Sequence, residues 1–92
     1  MYYVYILFSK KDYELYTGYT NDLENRIKLH QSGRVPATMF RRPLSLIYYE
    51  AYLRWSDAKR REKYLKGGNG RAALKIQLQD ILKELKYKHL PN

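Results

Sequence analysis

Hydrophobic and polar positions fall into distinct blocks along this chain. Tyr2 to Phe8 (YYVYILF) is apolar without a break, Ser9 to Asp12 is polar with turn formers at both ends, and Glu14 to Thr20 is a second aromatic run reaching Gly18. Two short β-prone runs around a polar break predict a hairpin. The first arm does not alternate, so both its faces are apolar. A strand of that kind belongs inside a sheet covered on both sides. Leu44 to Leu53 (LSLIYYEAYL), opened by Pro43, predicts a third strand, again with apolar groups on both faces.

The helical blocks follow a different period. Asn21 as N-cap with Glu24 three residues on has the form of a capping box, and Gly33 is a stop, so a helix is expected over Asp22 to Ser32. Leu23 and Ile27 face the sheet. Asp22, Arg26 and His30 form a polar row beside them, also four apart. By itself this row reads as an Asp22–Arg26 surface ion pair with His30 solvated. A second helix is expected from the N-cap Ser56 to Lys66, and the glycines of KGGNG (Gly67, Gly68, Gly70) read as a flexible joint. Arg71 to Tyr87 then repeats Leu74, Leu78, Ile81, Leu82 and Leu85 at helical spacing, an apolar stripe that packs on the sheet or on a second copy of the chain. Lys86 to Asn92 is expected to fray. The order strand, strand, helix, strand, helix, helix (ββαβαα) gives an α+β fold: a small three-stranded antiparallel or mixed sheet flanked by helices. It is expected as one domain over residues 1–92, with a core over 2–66 and a C-terminal helix over about 71–87.

Composition adds three points. Tyr2, Tyr3, Tyr5, Tyr13, Tyr16 and Tyr19 put six of the eleven tyrosines in the hairpin, where each buried hydroxyl needs a partner, so a surface that meets something polar is expected there. There is no cysteine, hence no disulfide framework and no thiolate metal site; a metal must be held by oxygen or imidazole. No window has the apolar length of a membrane helix and the N-terminus does not look like a signal peptide, so a soluble cytoplasmic protein is expected.

The net charge of +9 is unevenly spread: residues 1–33 are neutral overall, and the excess lies entirely in the later two thirds. Such a surface with interspersed aromatics points to a polyanion, nucleic acid before membrane. The segment from Gly33 to Pro43 (GRVPATMFRRP) has no usable period. It is either a solvated basic connector or a loop placing Arg34, Arg41 and Arg42 on a phosphate backbone.

On a helical wheel Ala58, Arg61, Glu62 and Leu65 share one arc, which turns a carboxylate inward. Glu62 is therefore paired with Arg or Lys, protonated, or bound to a cation.

Together these residues resemble a known family. Tyr3-Val4-Tyr5, with Tyr16-Thr17-Gly18 beginning eleven residues after Tyr5, resembles the paired elements of the GIY-YIG nucleases. Arg26 stands ten residues beyond Tyr16, where the family's helix carries an arginine. His30 follows at the spacing of several members, and Glu62 in its RRE..LK setting is similar to the family's metal-binding glutamate. The resemblance covers residues 2–66. It implies a metal-dependent endonuclease acting on DNA, with RNA left open, by structure rather than sequence. Its implied catalytic residues are Tyr5, Tyr16, Arg26, His30 and Glu62. Glu62 would hold Mg²⁺ or Mn²⁺, Arg26 would contact the scissile phosphate, and Tyr5 would act as general base with Tyr16 positioning water or phosphate. His30 is a competing base. Tyr19, Arg34, Arg41, Arg42, Arg61 and Lys66 are candidate nucleic-acid contacts. Any further specificity would come from a homodimer or a partner protein. Tyr3 replaces the family's first glycine, and Tyr19 stands where many members have lysine. A binding module that cuts slowly or not at all is the alternative. It would gain ground if Glu62 lay far from Tyr5, Tyr16 and Arg26 and were locked to a lysine or arginine.

Overall fold

The computed structural model describes residues 1–90. The chain runs β1 (Tyr2–Ser9), β2 (Leu15–Thr20), α1 (Leu23–Gln31), β3 (Leu44–Tyr52), α2 (Trp55–Lys66), α3 (Gly68–Gln77) and α4 (Gln79–Glu84). The sheet order is β2-β1-β3, and both pairings are antiparallel. The α+β class and the strand assignments are as the sequence predicts; a seventh element makes the order ββαβααα.

The apolar first arm is the central strand, and each of its faces carries its own core. Val4, Ile6 and Phe8 pack with Leu15, Ala58, Leu65, Leu74, Leu82 and Tyr87. Tyr5 and Leu7 point the other way and pack with Leu44, Tyr16, Leu23 and Ile27. Helix α1 covers that second face, while α2 to α4 cover the first. Strand β3 keeps its pairing with β1 through an irregularity between Ile6 and Leu7: Tyr48 partners Ile6 and Leu46 partners Leu7, leaving Ile47 as the extra residue.

Local chemistry differs from the sequence reading in five places. The α1 N-cap is Asp22 rather than Asn21: its carboxylate accepts from the Asn25 N–H at 3.2 Å, while Glu24 pairs with Lys28 instead of closing a capping box. Asp22 therefore forms no ion pair with Arg26. Helix α2 starts at Trp55, one residue before the expected cap Ser56, with Arg54 as N-cap and no side-chain cap.

The glycine segment is no flexible joint. Gly68 and Gly70 lie inside α3, and Gly70 is buried against α2 so closely that a Cβ there would sit 2.0 Å from the Tyr64 carbonyl oxygen and 2.6 Å from the Leu65 Cα. This glycine lets two helices touch backbone to backbone. The long C-terminal helix is two helices hinged at Leu78. The Leu78 N–H still donates to Leu74 O and the Leu82 N–H to Leu78 O, which keeps the stripe in phase: Leu74 and Leu82 are fully buried, with Leu78, Ile81 and Leu85 packed beside them.

The fifth difference is the tail. The chain turns at Lys86 (φ 61°), Tyr87 enters the core, the Lys88 N–H donates to Tyr13 O at 3.0 Å, and His89 meets Glu14 at 2.7 Å. Apolar burial of Tyr87 and these hydrogen bonds dock the segment expected to fray; its last two residues, 91 and 92, lie outside the described ones.

Candidate active site

The site is built on the face of β1 that carries Tyr5. The register sets Tyr5 opposite Gly18 and Leu7 opposite Tyr16, so Tyr5 and Tyr16 emerge on the same side of neighbouring strands. The Tyr5 ring lies directly over Gly18: a Cβ there would be 2.3 Å from both the phenol oxygen and Cζ. The glycine of the Tyr16-Thr17-Gly18 element is the slot through which the Tyr5 hydroxyl reaches the β2 edge.

Helix α1 brings the polar row to this hydroxyl. Arg26 Nε donates to the Tyr5 oxygen at 3.4 Å, and the Tyr5 oxygen and His30 Nε2 are 2.7 Å apart. Because the phenol oxygen already accepts from Arg26, the Tyr5 O–H is assigned as donor to Nε2. His30 then carries its proton on Nδ1 and donates it to Thr38 Oγ1 at 2.7 Å. His30 and Thr38 are fully buried. Tyr16 closes the cluster, its ring edge-on to His30 at 5.2 Å and tilted against Tyr5 at 6.4 Å. The row that read as a surface ion pair with a solvated histidine is thus the inner wall of the site.

Burial, reinforced by the Arg26 charge, pushes the His30 pKa down to about 4, so the imidazole is neutral at pH 7 and free to accept a proton at Nε2. The Tyr5 pKa is raised, with burial as the largest cause. The Arg26 hydrogen bond opposes the rise, whereas the nearby Tyr16 and Glu62 add to it. Burial raises it because a buried phenolate loses its hydration. Arg26 is held more firmly as a cation, chiefly by its bond to Tyr5, with Tyr16 contributing.

Glu62 arrives from α2, on the other side of the sheet. It is buried as the wheel predicts, and its charge is felt at Tyr5. Its two oxygens are held by lysines of its own helix, Oε1 by Lys59 at 2.9 Å and Oε2 by Lys66 at 3.1 Å. Glu62 is thus locked to lysines, and its link towards β2 runs through Lys59, whose ammonium lies over the Tyr19 ring. Burial opposes its ionisation, but the lysine hydrogen bonds prevail and its pKa is lowered. Among the described residues no group of three or more His, Asp or Glu side chains could cage a metal. One carboxylate suits a hydrated Mg²⁺ that also takes oxygens from a substrate phosphate. Both lysines are well exposed, with 42% and 54% of their side-chain surface open against 11% for Glu62, so each has room to move aside.

The other candidates are more dispersed. Tyr19 stacks on Tyr2 and lies under the Lys59 ammonium at 4.9 Å, placing both beside Glu62. Lys66 is at the site through Glu62. Arg41 is tied to Asp12 at 2.6 Å and to Leu15 O, holding loop to hairpin, and this hydrogen bond brings the Asp12 carboxyl down to about 2. Arg61 makes a forked pair with Glu50, which also accepts from Tyr48 and Tyr52. It clamps α2 to β3. Arg42 donates to Met39 O, and Arg34 is exposed. Sequence reasoning missed Thr38 and Lys59. Thr38 lies in a loop with no periodic signal, whereas Lys59, three residues before an inward glutamate, was legible from spacing.

A model of the GIY-YIG catalytic domain matches residues 1–75. The chain belongs to the GIY-YIG family. A UPF0213 protein of Clostridium perfringens is 41% identical over 95% of this chain and 94% of its own length. A Staphylococcus haemolyticus UPF0213 protein is 43% identical, covering 80% of this chain and 90% of the relative. The UPF0213 protein YazA of Bacillus subtilis is 37% identical over 89% and 85%. No solved structure matches. The three-stranded antiparallel sheet with its helices is consistent with the GIY-YIG fold. Among the described residues no helix is long and apolar enough to cross a membrane.

Proposed function

We propose that this GIY-YIG domain is a metal-dependent endonuclease that hydrolyses phosphodiester bonds in DNA and selects its substrate by structure rather than by sequence. The observation that carries this reading is the hydrogen-bonded chain from Tyr5 to His30 to Thr38, with Arg26 on the same phenol oxygen. A binding surface has no need for a buried neutral histidine aimed at a phenol.

In this reading Arg26 donates to a non-bridging oxygen of the scissile phosphate and stabilises the charge that develops there. Water attacks phosphorus as its proton passes to the Tyr5 oxygen, while the Tyr5 proton passes to His30 Nε2. The phenol never has to exist as a free phenolate, so its raised pKa is no obstacle. Thr38 holds the imidazole in the tautomer that leaves Nε2 open. Tyr16 sits beside Tyr5 and Arg26 and would position the water or the phosphate. Mg²⁺ or Mn²⁺, held through Glu62, would supply charge neutralisation at the leaving oxygen. Lys59 and Lys66 would turn from Glu62 to phosphates.

The test is incubation with branched, flapped and linear DNA, and with RNA of the same shapes, with and without Mg²⁺ or Mn²⁺, alongside Glu62→Ala. Metal-dependent products from the wild type only are expected. A lack of metal-dependent products, or the same products from both proteins, would overturn the reading. The second reading, a nucleic-acid-binding module, is favoured by the double lysine lock on Glu62 and by Tyr19 in place of a lysine. It predicts binding without cleavage.

A further inference from the structure

Among the described residues, two half-buried guanidinium groups make no ion pair: Arg26 and Arg71. The other half-buried arginines have carboxylates, Arg41 with Asp12 and Arg61 with Glu50. Arg26 and Arg71 are each held by a hydroxyl. Arg26 donates to Tyr5 at 3.4 Å, and Arg71 Nη1 donates to Thr17 Oγ1 at 3.0 Å. Burial pushes the Arg71 pKa down, yet a guanidinium stays charged at pH 7, so the fold bears the cost of partly desolvating a cation with no anion beside it. Glu14 is near enough to be felt by Arg71 but is engaged with His89.

The two arginines flank the same stretch of β2. Thr17 and Gly18 are successive residues of β2, an edge strand. Arg26 approaches this edge from the α1 side, at the phenol oxygen lying over Gly18. Arg71 approaches from the α3 side, at the Thr17 hydroxyl, because neighbouring side chains on a strand point to opposite faces. A strand of nucleic acid laid along the β2 edge would find a guanidinium on each side of it. Towards the hairpin turn the track ends, since Asp12 and Glu14 stand there and are already paired with Arg41 and His89.

We propose that Arg71 binds the phosphate next to the one held by Arg26, so that the outer edge of β2 is the track on which one nucleic-acid strand is positioned. The identity of the scissile phosphate rests on the nuclease reading above; the contact itself requires only that the domain binds a nucleic-acid strand. Arg71 is a positioning residue and touches no reacting atom.

The test uses the Glu62→Gln chain, so that nothing is cut, with a fluorescein-labelled DNA duplex and a single strand across a salt series. Arg71→Met in that background should weaken binding about tenfold, one charge-assisted contact. It should do so equally for unrelated sequences and lower the slope of log affinity against log salt by about 0.9 for duplex or about 0.7 for single strand. A purely structural Arg71 would lower the melting temperature and leave the slope unchanged, which would overturn the proposal. If Arg71→Met does not fold, footprinting of the Glu62→Gln chain with phenylglyoxal decides. Protection of Arg71 together with Arg26 by DNA supports the assignment, and equal Arg71 reactivity with and without DNA overturns it. Binding without cleavage by the wild type would remove the nuclease reading and leave this contact standing, whereas binding to neither DNA nor RNA would remove both.

Discussion

The two faces of β1 are built from alternate residues of one strand and do different work. Val4, Ile6 and Phe8 enter a large core closed by three helices, where nearly every neighbour is aliphatic or aromatic. Tyr5 and Leu7 enter a small core under one helix, where a phenol, an imidazole and a threonine hydroxyl are buried together and satisfy one another. Among the described residues no buried side-chain nitrogen or oxygen lacks a partner, so this polar cluster sits in the interior without orphaned groups. Stability is concentrated on one face, which leaves the other free to bury polar groups that a core of this size could not otherwise carry.

The sharpest way to break this division is to remove one atom on the site face. Tyr5→Phe should lower the cleavage rate by about 10²- to 10⁴-fold, the span of a lost proton-transfer group. It also strips His30 Nε2 of its partner, so a stability loss of about 1–3 kcal/mol should accompany it. Single-turnover kinetics and a urea melt check the two parts. Equal loss of rate in Tyr5→Phe and an even-numbered control such as Ile6→Val would sink the division. The glycines give the same comparison in another form. Gly70→Ala forces a methyl into the Tyr64 and Leu65 backbone, which cannot yield, and should cost about 3 kcal/mol or more with little change in rate per folded molecule. Gly18→Ala meets the Tyr5 ring instead; it should displace the phenol and abolish cleavage in protein that still folds.

Legibility in the sequence follows the same division. The unbroken apolar arm announced a strand covered twice, and the aliphatic stripe from Leu74 to Leu85 announced what covers one side, because apolar period survives even the hinge at Leu78. The glycine segment misled because composition reports chain freedom and says nothing of a neighbouring helix close enough to need a missing Cβ. At the site, Arg26 and His30 were visible as a helical row, but their direction was not: Asp22 looked like a partner for Arg26 and is instead the cap. Thr38 could not be found, since its role depends on a loop folding back onto α1. The basic residues were visible as charge, and only the structure separates Arg41 and Arg61, which hold elements together, from Arg71, which has no acid to hold.

A pH series sharpens the comparison on the stability side. His30 is fully buried with its pKa depressed from about 6.5 to about 4, so the unfolded chain takes up a proton at higher pH than the folded one. The resulting stability is complete above pH 6.5 and declines as pH falls from 6.5 to about 4. At about 1.4 kcal/mol per unit the loss reaches about 3 kcal/mol. His30→Asn should flatten the profile from pH 6.5 to about 5, above the range in which Glu62 and Asp12 take up protons, while Leu82→Ala should lower the whole curve without changing its shape. A wild-type profile flat from pH 6.5 to about 5, or a decline over that range that persists in His30→Asn, would show that the imidazole is not the group holding the small core together.

The smallest expected effect tests the one residue that crosses the division. Glu62 sits on a helix of the large-core face yet projects its charge to Tyr5, and Lys59 and Lys66 occupy both its oxygens. A metal that binds through this carboxylate has to displace both ammonium groups. Lys59→Ala with Lys66→Ala should therefore tighten Mn²⁺ binding a few-fold, since exposed ion pairs of this kind are each worth about 0.2–1 kcal/mol. The same change should weaken DNA binding by removing two cations beside the β2 edge. Calorimetric titration with Mn²⁺, with Glu62→Gln as the non-binding control, reads the first effect apart from the second. Unchanged Mn²⁺ affinity in the double variant would mean that the lysines already stand clear of Glu62 in solution, and the carboxylate would then belong to the site face outright.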